Sequence, residues 1–136
     1  ATTASVIDQN GSYLGGMIIP GLRVAVDALS ARASQLPLNI SLEAPDHLIG
    51  TNTIDCMRSG AIYGNAAMID GIIDRVEEEL GAPVTAVATG NLVPLVTPYC
   101  ERRIHEEPDL LLRGLGLLYE KNCHKGSGAA SREVKP

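Results

Sequence analysis

The chain has 136 residues and a mass of 14.3 kDa, enough for one domain with a real hydrophobic core. With 45% hydrophobic and 20% charged residues, its composition is typical of a globular protein and not of a disordered chain. A net charge of −5 and the lack of Phe and Trp argue against a nucleic-acid-binding surface, which needs basic patches or stacking aromatics.

The cysteine and hydropathy patterns predict a cytoplasmic protein. Three widely spaced cysteines form neither a disulfide framework nor a zinc-binding pattern. No apolar run reaches the roughly 18 to 20 residues of a membrane span, and no signal-peptide pattern is present.

The first 20 residues predict a β-hairpin, with strands over residues 4–7 and 13–19 joined by a turn that contains Asn-Gly. Gly15-Gly16 within the second strand predicts a bulge or a close approach to the backbone. A helix is predicted from Pro20-Gly21-Leu22 to about Gln35. Two prolines then mark residues 36–49 as irregular.

Apolar residues at three- and four-residue spacing predict a long helix over residues 53–80, either continuous or kinked near Gly60. Asn52 is predicted to cap its start and Gly81 to end it. A second stripe on this helix consists of small residues and predicts tight packing against a neighbouring helix, for instance across a dimer axis. Its members are Gly60, Gly64, Ala67 and Gly71.

The second half of the chain predicts a short buried strand over residues 84–88 that ends in the turn Thr89-Gly90-Asn91. A short helix over 92–96 and a strand over 102–105 follow. Pro108-Asp109 begins a last helix, which Asn122 would cap, and residues 123–136 are predicted to be disordered. The predicted buried stripe of that helix is Leu111, Leu112, Leu115 and Leu118. This order of elements indicates an α/β fold.

Three segments carry residue types that bind small ligands. Thr2 and Thr3 begin the first strand, where a plain edge strand would also explain them. Gly50-Thr51-Asn52-Thr53 brings hydroxyls, an amide and free backbone N–H groups to a helix start, which suits an anionic or hydroxyl-rich ligand as well as helix capping. Thr89-Gly90-Asn91 follows the carboxyl end of a strand, where open α/β sheets bind ligands.

The usual catalytic motifs are absent from the sequence. It contains no Walker A loop, no GxGxxG, no nucleophile elbow and no HExxH. Most carboxylates fall on the polar faces of predicted helices, where solvation accounts for them. We therefore predict no catalytic residue and no metal ligand in this chain.

The motifs, in their order along the chain, resemble those of the type III pantothenate kinases. This resemblance covers residues 1–122 and implies the C-terminal lobe of an actin-like ATPase fold of the ribonuclease H-like type, with a mixed sheet and packed helices. The residues that carry it are Ala1-Thr2-Thr3, Val6-Ile7-Asp8, Gly15-Gly16, Pro20-Gly21-Leu22, Gly50-Thr51-Asn52-Thr53, Ser59-Gly60, Tyr63-Gly64, Gly71, Ala88-Thr89-Gly90, Asp109 and Gly114-Leu115.

The resemblance implies a function as well as a fold. Enzymes of this family phosphorylate pantothenate with ATP, the first step of coenzyme A synthesis, using Mg²⁺ with ATP and a monovalent cation, K⁺ or NH₄⁺. They are homodimers, and the helix over residues 53–80 is a candidate interface. Two alternatives stay open: a non-catalytic accessory protein built on the same lobe, and another small-molecule kinase of the actin-like class.

The resemblance also assigns site residues. Thr53, with Asn52 and Gly50, would contact pantothenate. A second group, Thr2, Thr3, Gly90 and Asn91, would border the nucleotide. The rest of the phosphate segment and the catalytic base would lie upstream of Ala1, in a missing N-terminal lobe, so we expect this chain alone to be inactive. Two departures from the family pattern are Ser5, where an aspartate is common, and Asn91, where glycine is usual.

Overall fold

The computed structural model describes residues 1–126, with side chains described through residue 123. Its elements confirm the predicted α/β class. No helix in this part of the chain is long and apolar enough to cross a membrane. In chain order the elements are β1 (Thr2–Ile7), β2 (Tyr13–Ile19), α1 (Leu22–Arg32), α2 (Thr53–Leu80), β3 (Ala86–Ala88), α3 (Val93–Val96), a 3₁₀ helix (Thr97–Tyr99), β4 (Ile104–Glu106) and α4 (Leu110–Gly126).

β1 and β2 form the predicted antiparallel hairpin. Asp8 organises its turn, because the Asp8 Oδ1 accepts hydrogen bonds from the backbone amides of Asn10 and Ser12, each at 2.8 Å. The bond from Ser12 is the largest reason that the pKa of Asp8 is lowered. A register shift between Val6 and Ile7 confirms the irregularity that the paired glycines of the second strand predict.

α2 is one continuous helix of 28 residues, with no break at Gly60. At 1.5 Å per residue it is about 42 Å long. The side chain of Asn52 caps its start by accepting the backbone amide of Asp55 at 3.0 Å. Gly81 ends it in the left-handed conformation, with φ 65°. Both predicted ends are therefore confirmed.

The hydrophobic core lies where α1 and α3 pack on the first half of α2. Ile62 of α2 is completely buried, and Ala66, one turn later, is almost so. The irregular segment over residues 36–49 contributes Ile40, which the side chain of Arg23 helps to hold by donating to its carbonyl at 3.0 Å. The core is aliphatic throughout and consists of Leu22, Val26, Ile40, Met57, Ala61, Ile62, Ala66 and Val96.

Polar contacts help to attach the chain to the second half of α2, which also buries Ile73. The carboxylate of Asp70 accepts the backbone amides of Glu101 and Arg102, at 2.8 and 3.0 Å. The guanidinium of Arg102 in turn pairs with Asp74, at 3.5 Å, and with Glu77. Three acidic side chains on successive turns of α2 therefore hold the segment that leads into β4.

β3 and β4 pair in parallel as a sheet of their own, separate from the hairpin in the part of the chain that the structure describes. The single mixed sheet that the family resemblance implies is therefore wrong here. The two sheets are attached to different parts of α2. The hairpin leads directly into α1, which packs on the first half of α2, whereas Glu77 accepts the Val84 amide just before β3, at 2.9 Å. This backbone bond is the main reason that the pKa of Glu77 is lowered.

The small-residue stripe of α2 meets no neighbouring backbone within residues 1–126. A Cβ atom built on Gly60 or Gly64 would meet no atom within 4 Å, and one on Gly71 would meet only the end of the Arg75 side chain. The predicted tight packing is therefore wrong for this chain by itself. The reason is that Gly60 and Gly64 line an open cavity, described below.

α4 departs from its prediction in two ways. It continues past Asn122 to Gly126, so no cap lies at Asn122, and the rest of the predicted disordered tail, 127–136, lies outside the described residues. Its leucine stripe is exposed instead of buried, because no other described helix or strand packs extensively on α4. The exposed fractions are 70% for Leu111, 66% for Leu112, 54% for Leu115 and 58% for Leu118.

The Asp70 contact yields a stability prediction. Asp70→Ala removes the acceptor of two backbone amides, and we expect it to lower the free energy of unfolding by about 2 kcal/mol. Asp74→Ala, one turn later, removes only an exposed ion pair and should cost less than about 0.5 kcal/mol. Urea unfolding followed by circular dichroism measures both variants. Equal losses would contradict this role of Asp70.

Cys100 yields a pH prediction. Burial, with a smaller contribution from the charge of Asp70, raises the pKa of this thiol from 9.0 to about 11. With Cys56 and Cys123 replaced by serine, the reaction of Cys100 with a thiol reagent should be about 100-fold slower at pH 8 in the folded than in the unfolded chain. The rate should keep rising from pH 9 to about 11, and the folded state should lose stability over the same range, because the unfolded thiol ionises first. A rate that levels off at pH 9 would contradict this environment.

Candidate functional site

The best-defined candidate site surrounds the start of α2, where Gly50 packs directly on the first turn of the helix. A Cβ atom on Gly50 would lie 2.5 Å from the backbone nitrogen of Cys56 and 2.7 Å from the carbonyl carbon of Asp55, so no other residue fits without a shift. The carbonyl of Gly50 accepts a hydrogen bond from the Cys56 Sγ at 3.3 Å. Backbone contact therefore sets the position of the segment before the helix.

Asn52 and Thr53 have different roles at this helix start. Asn52 is occupied on both sides by Asp55, because its Oδ1 accepts the Asp55 amide and its Nδ2 donates to the Asp55 carboxylate at 2.5 Å. Helix capping thus accounts for Asn52. Thr53 is exposed and lines a groove between α1 and α2. The amides of Thr53 and Ile54 have no partner inside the helix, since they belong to its first turn.

Two depressions flank this helix start. A cavity of about 540 Å³ lies between residues 48–50 and α2, and a groove of about 340 Å³ lies between α1 and α2. Both are mostly apolar with a few polar groups, which is the usual chemistry of small-molecule sites. Cys56 and Gly60 line both of them. The cavity is lined by Leu48, Ile49, Gly50, Cys56, Ser59, Gly60, Tyr63 and Gly64.

Side chains of α2 hold the cavity wall in place. The hydroxyl of Ser59 donates to the carbonyl of Leu48. Arg58 donates to the Ser41 carbonyl at 3.1 Å and to the Ser41 hydroxyl at 2.6 Å, and pairs with Glu43 at 3.1 Å. Sequence reasoning missed these contacts, because the partners lie 11 to 17 residues apart and no local pattern marks them.

Thr2 and Thr3, the first predicted segment, begin β1. Thr2 is half-buried and Thr3 is exposed. This end of the strand lies against the start of α1, where a Cβ atom on Gly21 would be 3.2 Å from the backbone of Ala1. The two threonines are thus placed beside a helix start, and ordinary strand pairing accounts for their backbone.

Thr89-Gly90-Asn91, the third predicted segment, forms a turn after β3, as predicted. Gly90 has φ +128°, a conformation that side chains rarely adopt, and its carbonyl accepts the Val93 amide at 3.2 Å. Thr89 Oγ1 donates to the carbonyl of Pro108 at 3.4 Å, which ties the turn to the start of α4. Asn91 is exposed.

The structure thus brings Gly50, Asn52 and Thr53 together at the start of α2. The hydrogen bonds described for the other two segments do not connect them to this helix start. In residues 1–123, whose side chains the structure describes, no three His, Cys, Asp or Glu side chains lie close enough to hold a metal ion. This arrangement is suited to binding a small ligand, through the hydroxyl of Thr53, the free amides at the helix start and the apolar walls.

Several known proteins are similar in sequence to this chain. The profile of a family described as type III pantothenate kinase matches residues 1–75. Among proteins named type III pantothenate kinase, one from a Parafrankia species is 44% identical over 90% of this chain and 48% of its own length. The Acidiphilium cryptum protein is 43% identical over 90% of this chain and 46% of its own length, and the Rubrobacter xylanophilus protein 45% over 92% and 49%. The chain spans about half the length of the curated relatives it matches.

A solved structure shares the fold. A Campylobacter jejuni protein described as a Baf family transcriptional activator aligns with a TM-score of 0.58 at 22% identity, over 90% of this chain and 54% of that one. At this identity the similarity concerns the fold alone. Together with the sequence matches, it confirms the resemblance drawn from the order of motifs.

The Asn52 cap yields a prediction at this site. Asn52→Ala removes the acceptor for the Asp55 amide, and we expect the free energy of unfolding to fall by about 1 kcal/mol. Asn52→Ser keeps an acceptor and should lose less than half as much. Thermal unfolding of the two variants measures this difference, and an Asn52→Ala variant as stable as the parent would contradict the capping role.

Proposed function

The chain belongs to the type III pantothenate kinase family, and we propose that it forms one half of an enzyme that transfers the γ-phosphate of ATP to pantothenate. The product would be 4'-phosphopantothenate, in the first step of coenzyme A synthesis in the cytoplasm. The observation that carries this proposal is the identity of 43 to 45% to proteins of that name over at least 90% of this chain. The residues described here would form the C-terminal lobe of an actin-like ATPase fold.

Pantothenate would bind at the start of α2. It combines a carboxylate and hydroxyl groups with an apolar dimethyl portion, and this site offers the matching groups. The hydroxyl of Thr53 and the free amides of the first helical turn suit the polar groups. The apolar walls beside Gly50 suit the dimethyl portion. Asn52 would act through the helix cap, by holding these amides in position.

The nucleotide would lie along the other two segments. Gly90 and Asn91 form a tight turn whose backbone a planar or phosphate group could approach closely, and Thr2 and Thr3 offer hydroxyls at a strand start. In-line phosphoryl transfer depends mainly on positioning and charge neutralisation. The residues of this chain would position the two substrates, and the catalytic base would come from the other half of the enzyme.

Magnesium would arrive with ATP, and a monovalent cation, K⁺ or NH₄⁺, would accompany it. The residues of this chain do not by themselves fit a protein-built metal site. Among residues 1–123 no suitable trio of ligands exists, and Ser5 stands where the family commonly has an aspartate. A hydroxyl at that position lacks the negative charge that hard cations favour.

The enzyme would be a homodimer, with α2 at its interface. The support is the exposed small-residue face of α2, where nothing lies within 4 Å of a Cβ atom built on Gly60 or Gly64. Two helices approach closely only where their side chains are small, so this face suits a second copy of the same helix.

A second candidate is a non-catalytic accessory protein on the same lobe. Ser5 and Asn91 favour it, since both replace residues usual in the family at the nucleotide side of the site. An accessory protein would bind no ATP and would restore no kinase activity to the other half.

To test this, the chain is fused to the half of the Rubrobacter xylanophilus relative that this chain does not match. We expect ATP turnover that requires pantothenate, Mg²⁺ and K⁺. Thr53→Ala should raise the KM for pantothenate about tenfold and leave the KM for ATP unchanged, because one hydrogen bond to the substrate is lost. Thr53→Ser should restore the parent KM.

The matched control is Thr85→Ala, which removes an exposed threonine hydroxyl outside the three candidate segments and should leave both KM values unchanged. Turnover of a sugar or acetate instead of pantothenate would identify another kinase of the same fold. A protein that binds no ATP and has no turnover would contradict the proposal and favour the accessory role.

A further inference from the structure

The most exposed apolar surface of a described helix is the leucine stripe of α4. We define it as Leu111, Leu112, Leu115 and Leu118. Each of these side chains is more than half exposed, and soluble monomers seldom leave so many large apolar side chains uncovered on one helix face. The stripe also follows helical spacing, with members three and four residues apart. No other described helix or strand packs extensively on α4.

The other side of α4 carries charged side chains together with Leu117, which is 68% exposed. It carries Arg113 and Glu120, and Arg113 pairs with Glu107 at 3.1 Å beside the start of the helix. A membrane-surface helix usually has a polar face rich in Lys and Arg, whereas the charged residues of α4 with described side chains are Arg113, Glu120 and Lys121, a mixture of both signs. The stripe therefore suits a protein surface better than a lipid surface.

The relatives indicate which protein surface the leucine stripe would contact. The alignment with the Parafrankia relative covers 122 of the 136 residues, so it cannot leave out residues 111–118. The stripe thus lies within the part that this chain shares with proteins about twice its length. Those proteins contain a second half of similar size, whose sequence this chain does not match.

We propose that the leucine stripe of α4 docks on that second half and joins the two halves of the kinase. This inference rests on the proposed function only in taking the chain as one half of a longer protein. Burial of four leucines would supply an apolar contact with no new polar group to satisfy. α4 would then form a contact between the half that binds pantothenate and the half that contains the catalytic base.

The experiment uses single charges on two sides of the same helix. Leu115→Glu and Leu118→Glu place a carboxylate within the stripe, and Leu117→Glu, the matched control, places one on the far side at a residue that is 68% exposed. All three side chains are exposed in this chain, so its own helix content should stay unchanged by circular dichroism. Each variant is mixed with the second half of the Rubrobacter xylanophilus relative, and complex formation is measured by light scattering and titration.

We expect a one-to-one complex whose Kd rises at least tenfold with Leu115→Glu or Leu118→Glu and less than twofold with Leu117→Glu. In a fusion of the two halves, which lets them fold together, amides of residues 111–118 should exchange at least tenfold more slowly than in the chain alone. No complex, a complex insensitive to the stripe, or a stripe used only for self-association of this chain would overturn the inference. So would unchanged amide exchange in the fusion.

The outcome is separable from that of the proposed function. A complex that depends on the stripe but does not turn over ATP with pantothenate supports the docking surface and contradicts the kinase proposal. Pantothenate-dependent turnover that survives Leu115→Glu and Leu118→Glu unchanged supports the kinase proposal and overturns the docking surface.

Discussion

The structure depends on one helix, α2, which holds α1, α3 and the segments beside β3 and β4 by two different kinds of interaction. Its first half buries Met57, Ala61, Ile62 and Ala66 against α1, α3 and the irregular segment before it. Burial of a large aliphatic side chain contributes about 1.5 to 3 kcal/mol, so a few such residues dominate a core this small. Its second half presents acidic side chains to backbone amides and to Arg102. The apolar half therefore supplies most of the stability, and the polar half sets where β3 and β4 lie.

The candidate site is a consequence of the same helix. The start of α2 offers free amides because every helix start does, and here Asn52 and Gly50 hold that start in one position. The cavity and the groove lie on either side of Gly60, which lines both of them. The described residues form one wall of this candidate site. The chain spans about half the length of its relatives, and in the proposed kinase the other side of the cleft would come from the half that this chain does not match.

Local signals in the sequence predicted the local structure correctly. The hairpin turn, the Asn52 cap and the Gly81 end each depend on residues within about four positions of one another, so they can be read from one sequence. Gly50, Asn52 and Thr53 were predicted to lie together for the same reason. The contacts of Arg58 and Ser59 were missed, because their partners are 11 to 17 residues away. The described strands pair as two separate sheets, and do not form the mixed sheet that the family resemblance implies. The predicted burial of the α4 stripe was wrong, because a periodic pattern shows that a surface is apolar and does not show what covers it.

The central claim is that α2 is the stable unit to which the other elements are attached, and native-state hydrogen exchange measured residue by residue tests it most directly. We predict that amides of α2 from Met57 to Ile73 exchange only through global unfolding, so that their opening free energy equals the stability measured with urea. Amides of the hairpin and of α4 should exchange through smaller, local openings, since neither packs extensively on α2. Hairpin or α4 amides as protected as those of α2, or α2 amides that exchange locally, would contradict the claim.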